Sequence, residues 1–284
     1  MGKPYDTLEE VIGIRESNGS LREYGISYRQ VDLLPDGTFD YDGIRAAINE
    51  KTKLVTIQRS KGYASRPTLS AEQIGELIAF VKSIKPEVIC MVDNCYGEFV
   101  ERIEPSDLGA DMVVGSLIKN PGGGLAPIGG YIAGTRQCIE NAAYRLGSPG
   151  LGREVGASLG VNQSFFQGLF LAPTVVSGAL KELSLRQMSM SAWALMWFRT
   201  ARSRAMISFR RSRLENRRVL LRSARAFRRR RRLTAMYRRN RGICRGMIPR
   251  LSWQPVLYPG FLDRAFRDGP IKPPYSVFFQ GGLT

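Results

Sequence analysis

The chain has 284 residues, which is enough to bury one large core or two modest ones. It contains no histidine, which excludes Ser-His-Asp and Cys-His chemistry and histidine-ligated metals, so an acid or base must be Lys, Tyr, Asp, Glu or Cys. The net charge of +17 suggests a nucleic-acid partner, so the position of that charge along the chain matters.

The opening residues, MGKPYDTLEEVIGIRE, are rich in acids and lack the apolar core of a signal peptide. No run of about 18 apolar residues occurs, so we expect no membrane span. The four cysteines show no Cys-x-x-Cys spacing, which fits a cytoplasmic location with reduced thiols.

Hydrophobic periodicity predicts alternating helices and strands over the first 182 residues. The predicted helices are 5–16, with Asp6 or Thr7 as N-cap, 41–50, 70–84, 141–147 and 159–180. The predicted strands are 25–34, which ends at the turn Pro35-Asp36-Gly37, 53–58, 87–93, 111–116 and 129–135. Such alternation, with strands that are apolar on both faces, indicates an α/β fold with a mostly parallel sheet and helices on both faces.

In such a sheet, ligands bind beyond the carboxyl ends of the strands. Asp93 ends one predicted strand and Ser116 to Lys119 follow the next, so we expect these groups to face one crevice. Taken alone, this aspartate is more often a helix cap or turn former, and the lysine a solvated surface charge. Together they offer the carboxylate and the amine that pyridoxal phosphate requires, and glycines 122–124 would let backbone approach that cofactor closely.

Two long stretches, VDNCYGEFVE at 92–101 and GADMVVGSLIKNPGGGLAPIGGYIAG at 109–134, resemble the aluminium resistance family, or methionine gamma-lyase-like proteins, among the fold type I pyridoxal phosphate enzymes. GKPYDTLEEVIGIR, TIQRSKGYASRPTLS and the closing DGPIKPPYSVFFQGGLT add to the resemblance, which covers residues 2–182 and 268–284. It implies a pyridoxal phosphate-dependent lyase that eliminates a thiol from a sulfur amino acid and leaves a 2-oxo acid and ammonia. It also implies a homo-oligomer, either dimer or tetramer.

The resemblance further implies roles for individual residues. Lys119 would hold the cofactor as a Schiff base and, once freed, remove the α-proton of the substrate. Asp93 would pair with the pyridine nitrogen, Ser116 would contact the phosphate, and Tyr96 would face the phenolic oxygen.

Three cationic residues are candidates for binding the substrate. Arg59 and Arg66 follow strand 53–58, where a guanidinium could bind the substrate carboxylate or the phosphate; the alternative is a surface ion pair. Lys272, in the closing segment, stands where we expect relatives to carry an arginine for the substrate carboxylate. Residue chemistry alone leaves open a lyase, an aminotransferase or a decarboxylase.

The positive charge lies in the last third of the chain. Residues 1–182 carry 18 Lys and Arg against 22 Asp and Glu, whereas residues 183–284 carry 24 against 3. The stretch 186–250 has 21 arginines and no lysine, which favours out-of-frame translation of a GC-rich gene over an arginine-rich RNA-binding tail or an amphipathic surface helix. We therefore expect a partial cofactor-binding large domain at 1–182, an out-of-frame or disordered segment at 183–267, and a remnant of a small domain at 268–284.

Two features predict impaired or absent lyase activity. The resemblance begins at an interior helix of the family, which implies an N-terminal truncation, and the segment 183–267 stands where a small domain is expected. The alternative function is nucleic-acid binding through residues 186–250, which would be non-specific and would weaken steeply with salt.

Overall fold

The computed structural model describes residues 2–5, 7–62, 64, 66–154 and 159–191, together with three short strands further along the chain. The α-helices are α1 (Leu8–Ile12), α2 (Tyr41–Ala47), α3 (Ala71–Ile84), α4 (Arg136–Leu146) and α5 (Asn162–Ser191). The strands are β1 (Leu54–Gln58), β2 (Ile89–Asp93), β3 (Met112–Ser116), β4 (Gly130–Gly134), β5 (Phe209–Arg213), β6 (Phe266–Asp268) and β7 (Ser276–Gln280). Short 3-10 helices lie at Leu21–Tyr24, Pro105–Leu108, Asn120–Gly122 and Gly152–Glu154. The chain divides into two units, Met1–Gly62 with Arg66–Pro173, and Tyr63–Ser65 with Thr174–Thr284.

Four strands form the sheet of the first unit, in the order β1-β2-β3-β4. β1, β2 and β3 run parallel, and at their carboxyl ends Asp93 lies between Gln58 and Val114. β4 runs antiparallel to β3, because the chain returns through a loop and not through a crossover helix. The predicted α/β fold with a mostly parallel sheet is confirmed.

Helix α3 provides much of the core of this unit. Ser70 begins it with a capping box, in which the Ser70 hydroxyl accepts from the Gln73 N–H at 3.1 Å and the Gln73 side chain accepts from the Ser70 N–H at 3.0 Å. The buried positions of the helix recur at helical spacing, and they are Ala71, Ile74, Leu77, Ile78 and Val81. The strands contribute Val55, Ile57, Val88, Cys90, Val92 and Val113 to the same core. Burial of this apolar surface stabilises the packing of α3 against the sheet, which holds in place the strand ends that carry the candidate site.

The predicted strand at 25–34 is not formed. Most of its residues are exposed, and within the described chain its one β-type pairing is an isolated bridge between Leu33 and Phe39. Alternating residues favour a strand, but a strand also needs a neighbouring strand for a continuous backbone ladder, and none of the described strands pairs with this segment. The turn at 35–37 is confirmed, with Gly37 at φ +86°.

All five predicted helices are present, with shifted ends. α4 begins five residues before its predicted start, because the Thr135 side chain caps it by accepting from the Cys138 N–H at 3.4 Å. α5 continues through Pro173 to Ser191, beyond its predicted end at 180. Even so, neither α5 nor any other helix in the described ranges has the apolar length that a bilayer crossing needs.

The described strands of the second unit form an antiparallel sheet in the order β5-β7-β6. β5, of 5 residues, lies inside the arginine-rich segment. All five pair with β7, whose residues come from the closing segment that resembles the family. A complete backbone ladder permits a strand even where the side-chain pattern does not suggest one. The rest of 192–265 lies outside the described residues.

Candidate active site

The carboxyl ends of β2 and β3 bring the predicted acid and amine to one edge of the sheet. Asp93 is the last residue of β2, and Ser116 is the last residue of β3, its neighbour in the sheet. Lys119 follows three residues later, and its N–H donates to the Ser116 carbonyl at 3.2 Å. Asp93 Oδ1 accepts from the Cys95 N–H at 3.1 Å, which turns the chain as it leaves the strand.

The thiol of Cys95 lies within reach of both charges. Its pKa is raised to about 11, chiefly by burial and then by the Asp93 carboxylate, against the opposing effect of the Lys119 ammonium. Side-chain hydrogen bonds of Cys95 with both Asp93 and Lys119 also contribute to this shift, so the two side chains lie around the same sulfur atom. No sequence pattern singled out Cys95, although it lies two residues after Asp93 and directly before Tyr96.

Tyr96 lies against the lysine. Lys119 Nζ is 4.6 Å from the centroid of the Tyr96 ring, a cation–π distance. The backbone of Tyr96 has φ +68°, a left-handed conformation that bulky residues rarely adopt. A hydrogen bond from the Asn94 N–H to the Val114 carbonyl at 2.9 Å helps to hold this turn. Strain of about 1–3 kcal/mol of this kind is retained mainly at functional sites.

Arg66 is a further charge near Asp93. Its guanidinium donates to the carbonyls of Gln58, Ser60 and Pro67 at 2.7, 2.5 and 2.9 Å. Burial lowers the pKa of Arg66 to about 10, and the nearby Asp93 carboxylate opposes this shift. Because Gln58, which accepts from Arg66, pairs with Asp93 in the sheet, the structure brings Arg66 near one predicted cofactor-binding residue, Asp93.

Arg59 is placed differently. It is completely buried, and its guanidinium donates to the Asn94 side chain at 2.7 Å, to the Gly97 carbonyl at 3.2 Å and to the Glu101 carboxylate. Glu104 lies 3.6 Å from the same guanidinium. A guanidinium enclosed by these partners fits none of the three roles considered from sequence, which were binding of the substrate carboxylate, binding of the phosphate, and a surface ion pair. Arg59 holds the turn that follows β2.

Glu98 is a buried carboxyl that no sequence pattern singled out, although it lies within the VDNCYGEFVE stretch. Its Oε1 accepts from the Tyr131 hydroxyl at 3.0 Å, while Oε2 is buried and has no hydrogen-bond partner in the described part of the chain. Burial raises the pKa of Glu98 to about 7, and Glu104 also acts to raise it. Hydrogen bonds and the charge of Lys119 act in the opposite direction. Burial of this kind depends on tertiary packing, so local sequence could not reveal it.

The glycines after Lys119 are required by packing within the protein. A Cβ on Gly122 would overlap the carbonyl of Leu117, and one on Gly123 would overlap the carbonyl of Gly168 in α5. Gly123 also has φ +51°. Close approach to a cofactor was the reason expected from sequence. The described contacts give a different one, a tight loop seated against α5.

The remaining candidates are less informative. Ser116 is half-buried and pairs with Gly130 in the sheet. Lys272 lies outside the described residues. Nowhere in the described ranges do three or more Cys, Asp or Glu side chains cluster as a metal site would require.

Comparisons with known proteins give a consistent set of relatives. Residues 1–214 match the family model described as methionine gamma-lyase. The chain is 44% identical to the uncharacterized protein YnbB of Bacillus subtilis, over 100% of this chain and 68% of that protein. It superposes with a TM-score of 0.92 and 41% identity on a proposed cystathionine beta-lyase involved in aluminium resistance from Listeria monocytogenes, over 100% of this chain and 70% of that one. A carbon-sulfur lyase involved in aluminium resistance from Clostridium novyi gives a TM-score of 0.89 and 38% identity, over 100% and 67%.

Proposed function

Because the chain belongs to the methionine gamma-lyase family, we propose that it is a pyridoxal phosphate-dependent carbon–sulfur lyase acting on a sulfur amino acid. The observation that carries the proposal is the convergence of Lys119 and Asp93 on Cys95, with the Tyr96 ring 4.6 Å from Lys119 Nζ. The carbon-sulfur lyase from Clostridium novyi, which is similar to the whole of this chain, supports the type of bond broken.

The residues at this edge fit pyridoxal phosphate. The cofactor needs an amine for its aldehyde, a carboxylate for its ring nitrogen and hydrogen-bond donors for its phosphate. Lys119, Asp93 and Ser116 would supply these groups from two neighbouring strand ends, and Tyr96 would face the phenolic oxygen. When bound, the cofactor supplies an electron sink for the electrons released at the substrate carbons.

Lys119 would act twice, first as the covalent anchor of the cofactor and then as a general base that accepts the substrate's α-proton at Nζ. Its contact with the Tyr96 ring keeps Nζ at the strand edge, where the substrate would be held. The Asp93 carboxylate would stabilise a protonated ring nitrogen. Arg66, close to Asp93, is the candidate among the described residues for a carboxylate or phosphate group, and Lys272 stays a second candidate for the substrate carboxylate.

The names of the relatives leave the position of elimination to experiment. The family model is described as a methionine gamma-lyase, whereas the Listeria protein is a proposed cystathionine beta-lyase. We therefore propose carbon–sulfur cleavage with release of a 2-oxo acid and ammonia. Assays with cystathionine and methionine in parallel, with each 2-oxo acid identified, distinguish β- from γ-elimination.

The test of the site is covalent trapping. The purified chain is incubated with pyridoxal phosphate and reduced with borohydride, and the modified peptide is identified by mass spectrometry. We expect one adduct at Lys119 that disappears in Lys119→Ala and persists in Lys51→Ala, which removes an exposed lysine of the same unit. Adducts spread over several lysines, or retained in Lys119→Ala, would contradict the assignment.

A further inference from the structure

We propose that Arg59 is a positioning residue, which holds the turn Asn94–Gly97 so that the Tyr96 ring lies against the amine of the candidate active site. That amine is Nζ of Lys119, 4.6 Å from the centroid of the ring. The observation behind the proposal is that one guanidinium nitrogen donates to both ends of the turn. The proposal deepens the function proposed above and rests on it, since this amine would bind the cofactor.

The turn Asn94–Gly97 has an unusual backbone. It closes with a hydrogen bond from the Gly97 N–H to the Asn94 carbonyl at 2.8 Å, the pattern of a β-turn. Tyr96 is the second central residue of this turn and has φ +68°, in a position that glycine or asparagine usually fills. A large ring thus lies where local preference does not favour one, so contacts from elsewhere in the fold must hold it there.

Arg59 supplies these contacts from the residue directly after β1. Its Nη1 donates to the Asn94 side chain at 2.7 Å and to the Gly97 carbonyl at 3.2 Å, so a single nitrogen bonds to both ends of the turn. An added Cβ on Gly97 would lie 2.5 Å from the same nitrogen. The turn is therefore seated directly on a guanidinium that is itself completely buried.

Glu104 extends this support to the residues after the turn. Its Oε2 lies 3.6 Å from Arg59 Nη1 and accepts from the Asn94 side chain at 2.8 Å. Its Oε1 accepts from the Phe99 N–H at 2.9 Å. Phe99 has φ +60°, so two of the three described non-glycine residues with positive φ, Tyr96 and Phe99, lie within this network.

Glu101 fixes the guanidinium from the other side. Its carboxylate pairs with Arg59 Nη2 and accepts from the Ala71 N–H, at the start of α3, at 2.9 Å. Arg59 thus uses one terminal nitrogen for Glu101 and the other for the turn. A lysine at this position would keep a charge for Glu101, but its one nitrogen cannot occupy both places. Arg59→Lys therefore separates the charge from the placement of the turn.

The placement can be measured by NMR on the full chain without cofactor, with lysine labelled with ¹³C at its ε-carbon. The Lys119 resonance is assigned by its absence in Lys119→Arg. An aromatic ring shifts the protons over its face upfield, so we expect the ε-protons of Lys119 upfield of those of Lys51, an exposed lysine. The shift should vanish in Tyr96→Leu. Most of it should also be lost in Arg59→Lys and in Gly97→Ala, because each separates the guanidinium from the turn.

Val81→Ala is the control for a loss of stability alone. Val81 is buried near the end of α3, about 15 Å along the helix from Ala71, so its truncation destabilises the same unit far from the network. The upfield shift of Lys119 should persist in this variant. Circular dichroism confirms that each variant is folded. If Arg59→Lys does not fold, Gly97→Ala decides, because the three atoms nearest its added Cβ all belong to Arg59.

The chemical readout is the rate of borohydride trapping of pyridoxal phosphate at Lys119, in a double-mutant cycle of Arg59→Lys and Tyr96→Leu. Because a displacement of about 1 Å from the reactive geometry can cost about a hundredfold in rate, each single variant should slow trapping at least about tenfold. In the Tyr96→Leu chain, Arg59→Lys should change the rate by less than about twofold, because the ring through which it acts is already gone. A merely structural loss would slow trapping by the same factor in both chains.

An unshifted Lys119 resonance in the parent chain, or a shift that is kept in either Arg59→Lys or Gly97→Ala, overturns the proposal. So does loss of the shift in Val81→Ala, or equal slowing of trapping by Arg59→Lys with and without the Tyr96 ring. Failure of Lys119 to trap pyridoxal phosphate at any concentration would refute the proposed function instead, while the NMR shift would still report whether Arg59 places the ring.

Discussion

The convergence of Asp93 and Lys119 can be tested through the thiol that lies between them. Asp93→Asn removes one negative charge, and its side-chain oxygen can still accept from the Cys95 N–H. Lys119→Met removes one positive charge and keeps an unbranched side chain of similar length. Because Asp93 raises the pKa of Cys95 and Lys119 lowers it, the two variants should move that pKa in opposite directions.

The size of the effect follows from the ionised fraction of the thiol. A pKa of about 11 leaves about one Cys95 side chain in a thousand as thiolate near pH 8. Only the thiolate is alkylated rapidly, so the alkylation rate at this pH is proportional to the thiolate fraction. A decrease of the pKa from about 11 to about 10 would therefore raise the rate about tenfold. We expect Asp93→Asn to speed alkylation by about threefold to thirtyfold, Lys119→Met to slow it by a similar factor, and the double variant to fall between them.

The assay is alkylation with iodoacetamide over a range of pH, with the Cys95 peptide quantified by mass spectrometry. Complete pH profiles separate a change in pKa from a change in access, because access alters the plateau rate and not the midpoint. Asp42→Asn, an exposed carboxylate in the same unit, is the matched control. If both variants shift the midpoint in the same direction, or neither shifts it, the two charges do not meet at Cys95 and the proposed cofactor site loses its support.

Three further predictions concern stability, each read by urea denaturation with hydrogen exchange of the β1 and β2 amides as a local report on the first unit. Arg59→Met should lower the free energy of unfolding by about 3–5 kcal/mol, because it leaves Glu101 without its buried partner. A decrease below about 1 kcal/mol would contradict the structural role given to this arginine. Gly123→Ala should lower the free energy of unfolding more than Gly19→Ala. Both glycines have positive φ, but an added Cβ would overlap other atoms at Gly123 and would meet open space at Gly19. Equal decreases would contradict the packing argument. Ser70→Ala should lower the free energy of unfolding by about 1 kcal/mol, because it removes the N-cap of α3. An unchanged free energy of unfolding would show that the capping box is absent in solution.

Local patterns predicted the elements that carry the site. α3 has both a capping sequence and apolar residues at helical spacing, and β2 is a short apolar run, so each was evident from the sequence. The segment 25–34 has the alternation of a strand, but none of the described strands pairs with it, and pairing is a tertiary property. β5 is the reverse case, since its pairing with β7 joins segments that are far apart in the chain.

The same distinction separates the site residues that could be predicted from those that could not. Asp93 and Lys119 were placed together because parallel strands end at one edge of a sheet, a rule that needs only strand order. Arg59 and Glu98 depend on which side chains become buried, and an arginine after a strand looks the same in sequence whether it is enclosed or exposed. A glutamate within a matched family stretch was the one available signal for Glu98.

The loop around Lys119 explains how a flexible side chain can be presented at a defined place. The Lys119 N–H is tied to Ser116 at the end of β3, and Asn120 is tied to the Glu98 carbonyl. Gly123 then seats the loop against α5 at a distance that no side chain would permit. With the backbone held on both sides of the lysine, only its side-chain torsions remain free, and the Tyr96 ring restricts these further. The special backbone therefore reduces the conformational entropy that would be lost when the amine binds a ligand, which is the property that a covalent anchor requires.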